Sequence, residues 1–521
     1  MNPEQHQRLI KSLRHSAALN GEAGAIELVE THISSVLLTG THAYKLKKPL
    51  DLGFLDFSTL EKRRVCCEEE IRLNRRLAPS IYLDTVAITG TLDAPAVDGQ
   101  GEPLEYAVRM RQFDQSQLLN RLLPEGKVDA SMIDALADRI AAFHAEIAVA
   151  PPDSDFGTPE IAYFPMAQNF DQIRPLLDDP IQLAQLQRIA DWTADAYASL
   201  REALAARKSG GFIRECHGDM HLGNMTLHEG QLAIFDGIEF NPHLRWIDVI
   251  SEIAFLTMDL TDRGAPTLAQ RLLNGYLEHT GDYAGLALLR FYQVYRAMVR
   301  AKVASIRLHQ SGLPDAERRE ILRAYQSYAD LAERYTHAPT PRLALMHGVS
   351  GSGKSWVSER LVETLPAIRV RSDRERKRLL GDHETDGALN TGLYDADATA
   401  KTYARLLELA ATILAAGHTV IVDATFLKRA QRAPFQEMAR ALGVGCIVVH
   451  TRAPTALLRQ RIETRRHEHD NISDANRAVL DYQLQQIEPP EDDETSVVVT
   501  ADADSSDSRD TADQIRKLLD S

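Results

Sequence analysis

The stretch CHGDMHLGNM, residues 216–225, places Asp219 two residues after His217 and Asn224 five residues after Asp219. A carboxylate so placed can orient or deprotonate an acceptor hydroxyl, and an amide oxygen in the same loop can ligate Mg2+. A second ligand for the ion must come from a nearby strand. Asp236 in LAIFDGIEF, 12 residues after Asn224, leaves room for a short hairpin between them. A nucleotide held there also needs a cation over its phosphates, paired with a helix carboxylate. AYKLKKPL offers Lys45, Lys47 and Lys48. Alternation along a strand puts Lys45 and Lys47 on one face, opposite Leu46. One of the two faces nucleotide, with Lys45 slightly favoured. CCEEEIRLNRRL supplies the carboxylate: Glu70, just before Ile71, with Glu69 as the alternative. His217 braces the loop, and Asp248 in RWIDV anchors it.

A second phosphate motif follows. GVSGSGKS matches G-x-x-x-x-G-K-[ST] through Gly348, Gly353, Lys354 and Ser355, with Ser350, Gly351 and Ser352 inside the loop. A strand precedes it and the helical SWVSERLVETL follows. Glycines let backbone N–H groups turn inward around phosphate oxygens, and the helix N-terminus adds its positive dipole end. Lys354 is placed to reach the β/γ-phosphates and Ser355 to ligate Mg2+. VIVDATF ends a strand at Asp423, suited to the same ion. VRSDRERKRLL puts Asp373 at the end of another strand, on the crevice side where such sheets bind ligands; it can accept a proton from an attacking hydroxyl or cap the helix that follows. Arg461 and Arg465 in RQRIETRR stand one helical turn apart and can close over the transferring group.

The elements around these motifs divide the chain. SSVLLTGTHAYKLKKPL reads as a β-hairpin about a Thr-Gly-Thr turn. STLEKRRVCCEEEIRLNRRLAP reads as a helix, capped by Ser58 and ended by Pro79. DTVAITGTLD and EYAVRMRQF read as strands, and VRMRQF is the hinge that meets adenine through its backbone. From Leu118 the pattern is helical, notably over 131–148, 181–206 and 284–335. Pro339 and Pro341 bracket a linker. Beyond it LALMH, AIRVR, TVIVD, CIVVH and SVVVT alternate with helical segments, which implies a parallel sheet covered on both faces.

These residues carry two resemblances. Residues ~25–335 resemble the aminoglycoside phosphotransferase and choline kinase group through HGDMHLGN and Asp236, which implies a protein-kinase-like bilobal fold. A lone Gly40 stands where protein kinases have a glycine-rich loop, and DGI replaces D-F-G. Residues ~342–520 resemble small P-loop kinases of the gluconate kinase and zeta-toxin type. The whole chain resembles bacterial fusions of the two, marked by YKLKKPLDLGFLDFSTLEKR and IEFNPHLRWIDV. The expected architecture is therefore two-domain, α+β and α/β: a kinase-like domain over 1–335 (N-lobe about 25–115, helical C-lobe about 116–335), a linker at 336–342, and a P-loop domain over 343–521 with a doubly wound parallel sheet.

The resemblance implies ATP and Mg2+ in each domain and small hydroxylated metabolites as acceptors. A nucleotide-dependent switch, in which the P-loop domain gates the kinase-like domain or a partner, is the alternative. An aminoglycoside-modifying enzyme is a further one. Arg296 and Arg300, one turn apart with Tyr292 and Tyr295 nearby, suit either an acceptor that carries an anion or structural ion pairs within a helical bundle. Net charge is −15, from 59 basic and 74 acidic residues, which argues against a general nucleic-acid binder. No apolar run approaches the ~20 residues of a membrane helix. Four cysteines without metal-type spacing fit reduced thiols and a cytoplasmic location. The oligomeric state is open.

Overall fold

The computed structural model describes residues 1–15, 19, 26–53, 55–310, 312–381, 396–465, 477–500, 515 and 517. They form two compact units: 1–263 with 295–329, and 264–294 with 330–521. Residues 264–294, N-terminal to the Pro339–Pro341 linker, thus pack with the second unit.

In the first unit, strands β1 (Glu27–Glu30), β2 (Ser34–Leu38), β3 (His42–Lys47), β4 (Tyr82–Gly90), β5 (Pro95–Val97) and β6 (Glu105–Arg111) form an antiparallel sheet in the order β1-β2-β3-β6-β4-β5. Alternation along β3 divides its side chains between two layers. Tyr44 and Leu46 join Leu9 and Leu13 of the helix Pro3–His15 in one apolar cluster. Lys45 and Lys47 point the other way, toward the helix Leu60–Asn74, whose Cys67 and Ile71 pack with Tyr82 and Val108. Thr59, not Ser58, caps that helix, accepting the Lys62 N–H at 3.2 Å. The Ser58 hydroxyl is engaged instead by Asp56 at 2.6 Å. The helix stops at Asn74, before Pro79.

Below the sheet lie the helices Ala130–Glu146, Pro180–Ser209 and Val249–Asp262, the last buried over Val249–Leu260. Between them run β7 (Ile213–Glu215), β8 (Met225–His228), β9 (Gln231–Ile234) and β10 (Trp246–Asp248), paired β10-β7 and β8-β9. The helical stretch read over 284–335 is two helices, Leu286–Leu308 and Asp315–Thr336.

In the second unit the five apolar runs are β11 (Arg342–His347), β12 (Ala367–Arg371), β13 (Thr419–Asp423), β14 (Gly445–Arg452) and β15 (Ser496–Thr500). They form a parallel sheet in the order β12-β13-β11-β14-β15. The P-loop leaves the central strand. Met346, Ile421 and Val449 pack with Val357 and Leu361 of the following helix. The free edge of β12 is covered by the helix Pro266–Thr280. Asn274 donates from Nδ2 to the Ala367 carbonyl at 3.0 Å and accepts the Arg369 N–H at 2.7 Å, so one side-chain amide stands in for a neighbouring strand.

Candidate functional site

The first site is built around the loop between β7 and β8. Gly218 has φ 89, and a Cβ there would lie 2.7 Å from the Leu244 carbonyl oxygen, so the turn needs glycine. His217 accepts the Asp219 N–H at Nδ1 (3.3 Å) and donates from Nε2 to the Phe235 carbonyl (2.9 Å), which ties the loop to the chain before Asp236. Asn224 donates from Nδ2 to the Asp219 carboxylate at 2.9 Å, which leaves its side-chain carbonyl oxygen available as a ligand for a cation. The hairpin β8–β9 turns at Glu229 and Gly230, both with positive φ, as a tight two-residue turn requires. The Phe235 N–H then donates to the Asn224 carbonyl at 2.9 Å. That bond brings Asp236 back beside Asn224. Asp236 itself has φ 64, and its N–H is held by the Tyr82 hydroxyl at 3.1 Å.

The sheet delivers the cations. Lys45 Nζ lies 2.9 Å from Glu70 Oε1 and 2.5 Å from Asp236 Oδ1. Lys47 is wholly buried and pairs with Glu70 and with Glu239. Lys45 is therefore the lysine that reaches Asp236, while Lys47 stays behind it. Burial alone would lower the Lys45 pKa, but Asp236, Glu70 and Glu239 hold it well above its ordinary value. Burial would raise the Asp219 carboxyl, but His221, Arg300 and His217 outweigh it and keep the group well below the usual carboxylate range. Asp219 is thus an anion at neutral pH. Glu69 pairs with Arg72 and Arg245, away from both lysines.

The loop's anchor is not Asp248. Asp248 pairs with Arg207 at 2.6 Å and caps the helix Val249–Asp262 through the Ile250 N–H. One turn further on, buried Glu252 accepts the N–H groups of His217 (3.2 Å) and Gly218 (2.6 Å), with His144 Nε2 at 3.0 Å. Burial would raise its carboxyl, yet His144, His217 and the Gly218 N–H bring it down to about 2. Arg296 adds a second brace, donating to the Gly218 carbonyl at 3.0 Å and to Ser251 at 3.2 Å. Sequence reading missed Glu252 and Glu239. A signal for Glu239 exists: two lysines buried on one strand face demand a second carboxylate, and Glu239 follows Asp236 closely.

The second site forms where β11 enters the P-loop. Gly348, Gly351 and Gly353 all have positive φ, at 146, 82 and 97. A Cβ on Gly348 would lie 2.6 Å from Thr451 Oγ1. Ser352 is buried, its hydroxyl 2.7 Å from Thr451 Oγ1, so its side chain shapes the loop. The Ser350 N–H donates to Gln483 at 2.7 Å. Lys354 Nζ donates to the Val349 carbonyl at 3.0 Å, and Arg461 Nη1 to the Gly351 carbonyl at 3.2 Å, so both cations stand at the loop. The Arg465 side chain lies outside the described residues. Asp423 accepts from Ser358 at 3.0 Å, one turn beyond Ser355. Arg371 is paired in register with Asp423, so Asp373, two residues on, leaves the same end of the sheet. Its carboxylate meets Arg376 at 2.7 Å.

Oxygen donors of this kind fit Mg2+: Asn224 and Asp236 in the first unit, Ser355 and Asp423 in the second. Two family models match the chain, the phosphotransferase enzyme family over residues 67–289 and an AAA domain over 343–490. An uncharacterized protein of Mycobacterium tuberculosis is 31% identical over 447 residues, covering 84% of this chain and 86% of the relative. The chain belongs to this two-domain kinase family. The first domain of the kinase is thus of phosphotransferase type and the second of P-loop type. A gluconokinase from Sinorhizobium meliloti is similar to part of it, at 24% identity over 35% of this chain and 95% of that one, with a TM-score of 0.26. A choline/ethanolamine kinase family protein from Mesorhizobium loti covers 63% of this chain and 99% of its own at 12% identity and a TM-score of 0.37. Among the described residues no helix is long and apolar enough to cross a membrane.

Proposed function

We propose that the chain is a bifunctional ATP-dependent phosphotransferase acting on small hydroxylated metabolites, with one ATP and Mg2+ site in each unit. The observation that carries this reading is the convergence of Lys45, Glu70, Asn224 and Asp236 beside Asp219. Lys45 holds the donor phosphates while Glu70 fixes its ammonium. Asp219, an anion on a loop pinned by Glu252, accepts a hydrogen bond from the acceptor hydroxyl and aims its oxygen at the γ-phosphorus. The new O–P bond forms as the bond from the γ-phosphorus to the ADP bridging oxygen breaks, and the hydroxyl proton passes to Asp219. In the second unit Lys354 and the P-loop N–H groups hold the phosphates, Asp373 takes the acceptor proton, and Arg461 neutralises the transferring group. Mg2+ supplies positive charge against the phosphate oxygens when bound.

An ADP-release screen over sugars, nucleosides, amino alcohols and aminoglycosides tests the proposal. Wild type, Asp219→Ala and Lys354→Ala are compared. Each substitution should remove a separate set of acceptors. If neither lowers turnover, both sites are wrongly assigned. If only Lys354→Ala matters, the first unit is a binding module gated by nucleotide.

A further inference from the structure

One face of the Asp219 loop collects hydrogen-bond donors. His221 accepts the Gly223 N–H at Nδ1 (3.0 Å), so Nε2 carries a ring proton. That N–H stands 3.5 Å from the Asp219 carboxylate. Arg300 brings a second donor to the same place: its Nη1 lies 3.5 Å from His221 Nε2. A donor facing a donor makes no hydrogen bond, so this Nη1 gains nothing from His221. The Nε of Arg300 is buried and has no hydrogen-bond partner. The guanidinium is also hydrogen-bonded to Tyr328, whose ring centroid lies 5.6 Å away. Asp259, a nearby carboxylate, is committed elsewhere, to the Leu222 N–H at 2.9 Å and to Arg263 Nε at 3.0 Å. Arg296, one turn earlier, is spent on the Gly218 carbonyl and Ser251. The Nε of Arg296 is likewise without a partner, but of the two arginines it is Arg300 that stands against His221 and acts on Asp219.

We propose that Arg300, with His221, recognises an anionic group on the acceptor, so that the first unit phosphorylates alcohols that already carry a carboxylate or a phosphate. An oxyanion between Arg300 and His221 would give an acceptor to the Arg300 Nε, which the protein leaves without one. It would also set the acceptor hydroxyl against Asp219 at a fixed distance from its charged end. This rests on the reading of the first unit as a phosphotransferase.

The test uses the full chain carrying Lys354→Ala, so that ADP release reports the first unit. Matched acceptors are offered: glycerol, glycerate and glycerol 3-phosphate; glucose, gluconate and glucose 6-phosphate. The anionic members should have the higher kcat/KM, and which anion is preferred separates carboxylate from phosphate recognition. Arg300→Gln should lower the anionic-over-neutral preference about tenfold or more, chiefly through acceptor KM. Arg300→Lys, which keeps the charge, should lose less. A merely structural arginine would lower turnover of both members alike and leave the preference unchanged, and that result overturns the proposal. So does better use of the neutral members, or no use of any anionic one while Asp219-dependent ADP release persists. Absence of any Asp219-dependent ADP release instead overturns the phosphotransferase reading beneath it.

Discussion

Replacing Lys47 by methionine separates the roles of the two lysines on β3. Lys47 is fully buried between Glu70, also fully buried, and Glu239, which is 7% exposed. Methionine fills much of the same volume but removes the cation that pairs with Glu239, leaving it the more distant Lys45 and the like charge of Glu70. Removing one partner of a buried ion pair costs about 3–5 kcal/mol, because the other charge stays buried. Against a domain stability of roughly 5–15 kcal/mol, that is a loss on the order of 10 °C in melting temperature. Lys45→Met should cost far less stability. Glu70 keeps Lys47, and the Asp236 side chain is 46% exposed to solvent. Calorimetry of the full chain reads the first unit's transition, while the P-loop unit's transition serves as an internal reference. Glu239→Gln in the Lys47→Met background should restore part of the loss, since it removes the orphaned charge. Equal melting of Lys47→Met and wild type, or a larger loss in Lys45→Met, would refute the assignment of Lys47 to the scaffold and Lys45 to the nucleotide.

Two further outcomes follow from the same geometry. Glu252→Gln keeps the shape but weakens the acceptor for the His217 and Gly218 N–H groups; a hydrogen bond to a charged group contributes about 1.5–3 kcal/mol, so steady-state kcat of the first unit should fall roughly tenfold or more with ATP KM little changed. In the P-loop unit, Arg452 Nε donates to His450 Nε2 at 2.6 Å, and His347 Nε2 donates to the Glu488 carbonyl at 3.1 Å, so a single proton lies between the facing Nδ1 atoms of the two buried rings. Burial first, then His450 and Arg432, depress His347 to about 3; burial, Arg452 and Arg432 depress His450 to about 4. Since the unfolded chain takes up these protons first, the pair's contribution is complete above pH ~6.5 and is lost as pH falls toward 4 and 3. The second unit's melting temperature should drop over that window, and His450→Gln should flatten the slope; a pH-independent transition between 7 and 5 contradicts it.

The chemistry-bearing residues were legible because their motifs are local: the spacing of Asp219 and Asn224, the P-loop glycines and the period-two strands each lie within a few residues. What escaped depends on distant partners. Alternation places Lys45 and Lys47 on one face but cannot say which of them meets Asp236; the answer comes from Glu70 and Glu239 on other segments. Asp248 and Glu252 share a helix one turn apart, and only tertiary packing decides that Arg207 takes the first and the Asp219 loop the second. Ser58 and Thr59 are both capping residues, and Asp56 settles which hydroxyl is left for the cap. Nothing within residues 266–280 announces that Asn274 will complete the edge of a sheet whose strand β12 begins some ninety residues later.

The central claim, a separate nucleotide site in each unit, is tested most directly by the binding stoichiometry of a non-hydrolysable ATP analogue with Mg2+, titrated to saturation on the full chain. Wild type should bind two per chain, Lys354→Ala one and Lys45→Met one. A wild-type value of one, or an unchanged value of two in either variant, would contradict it.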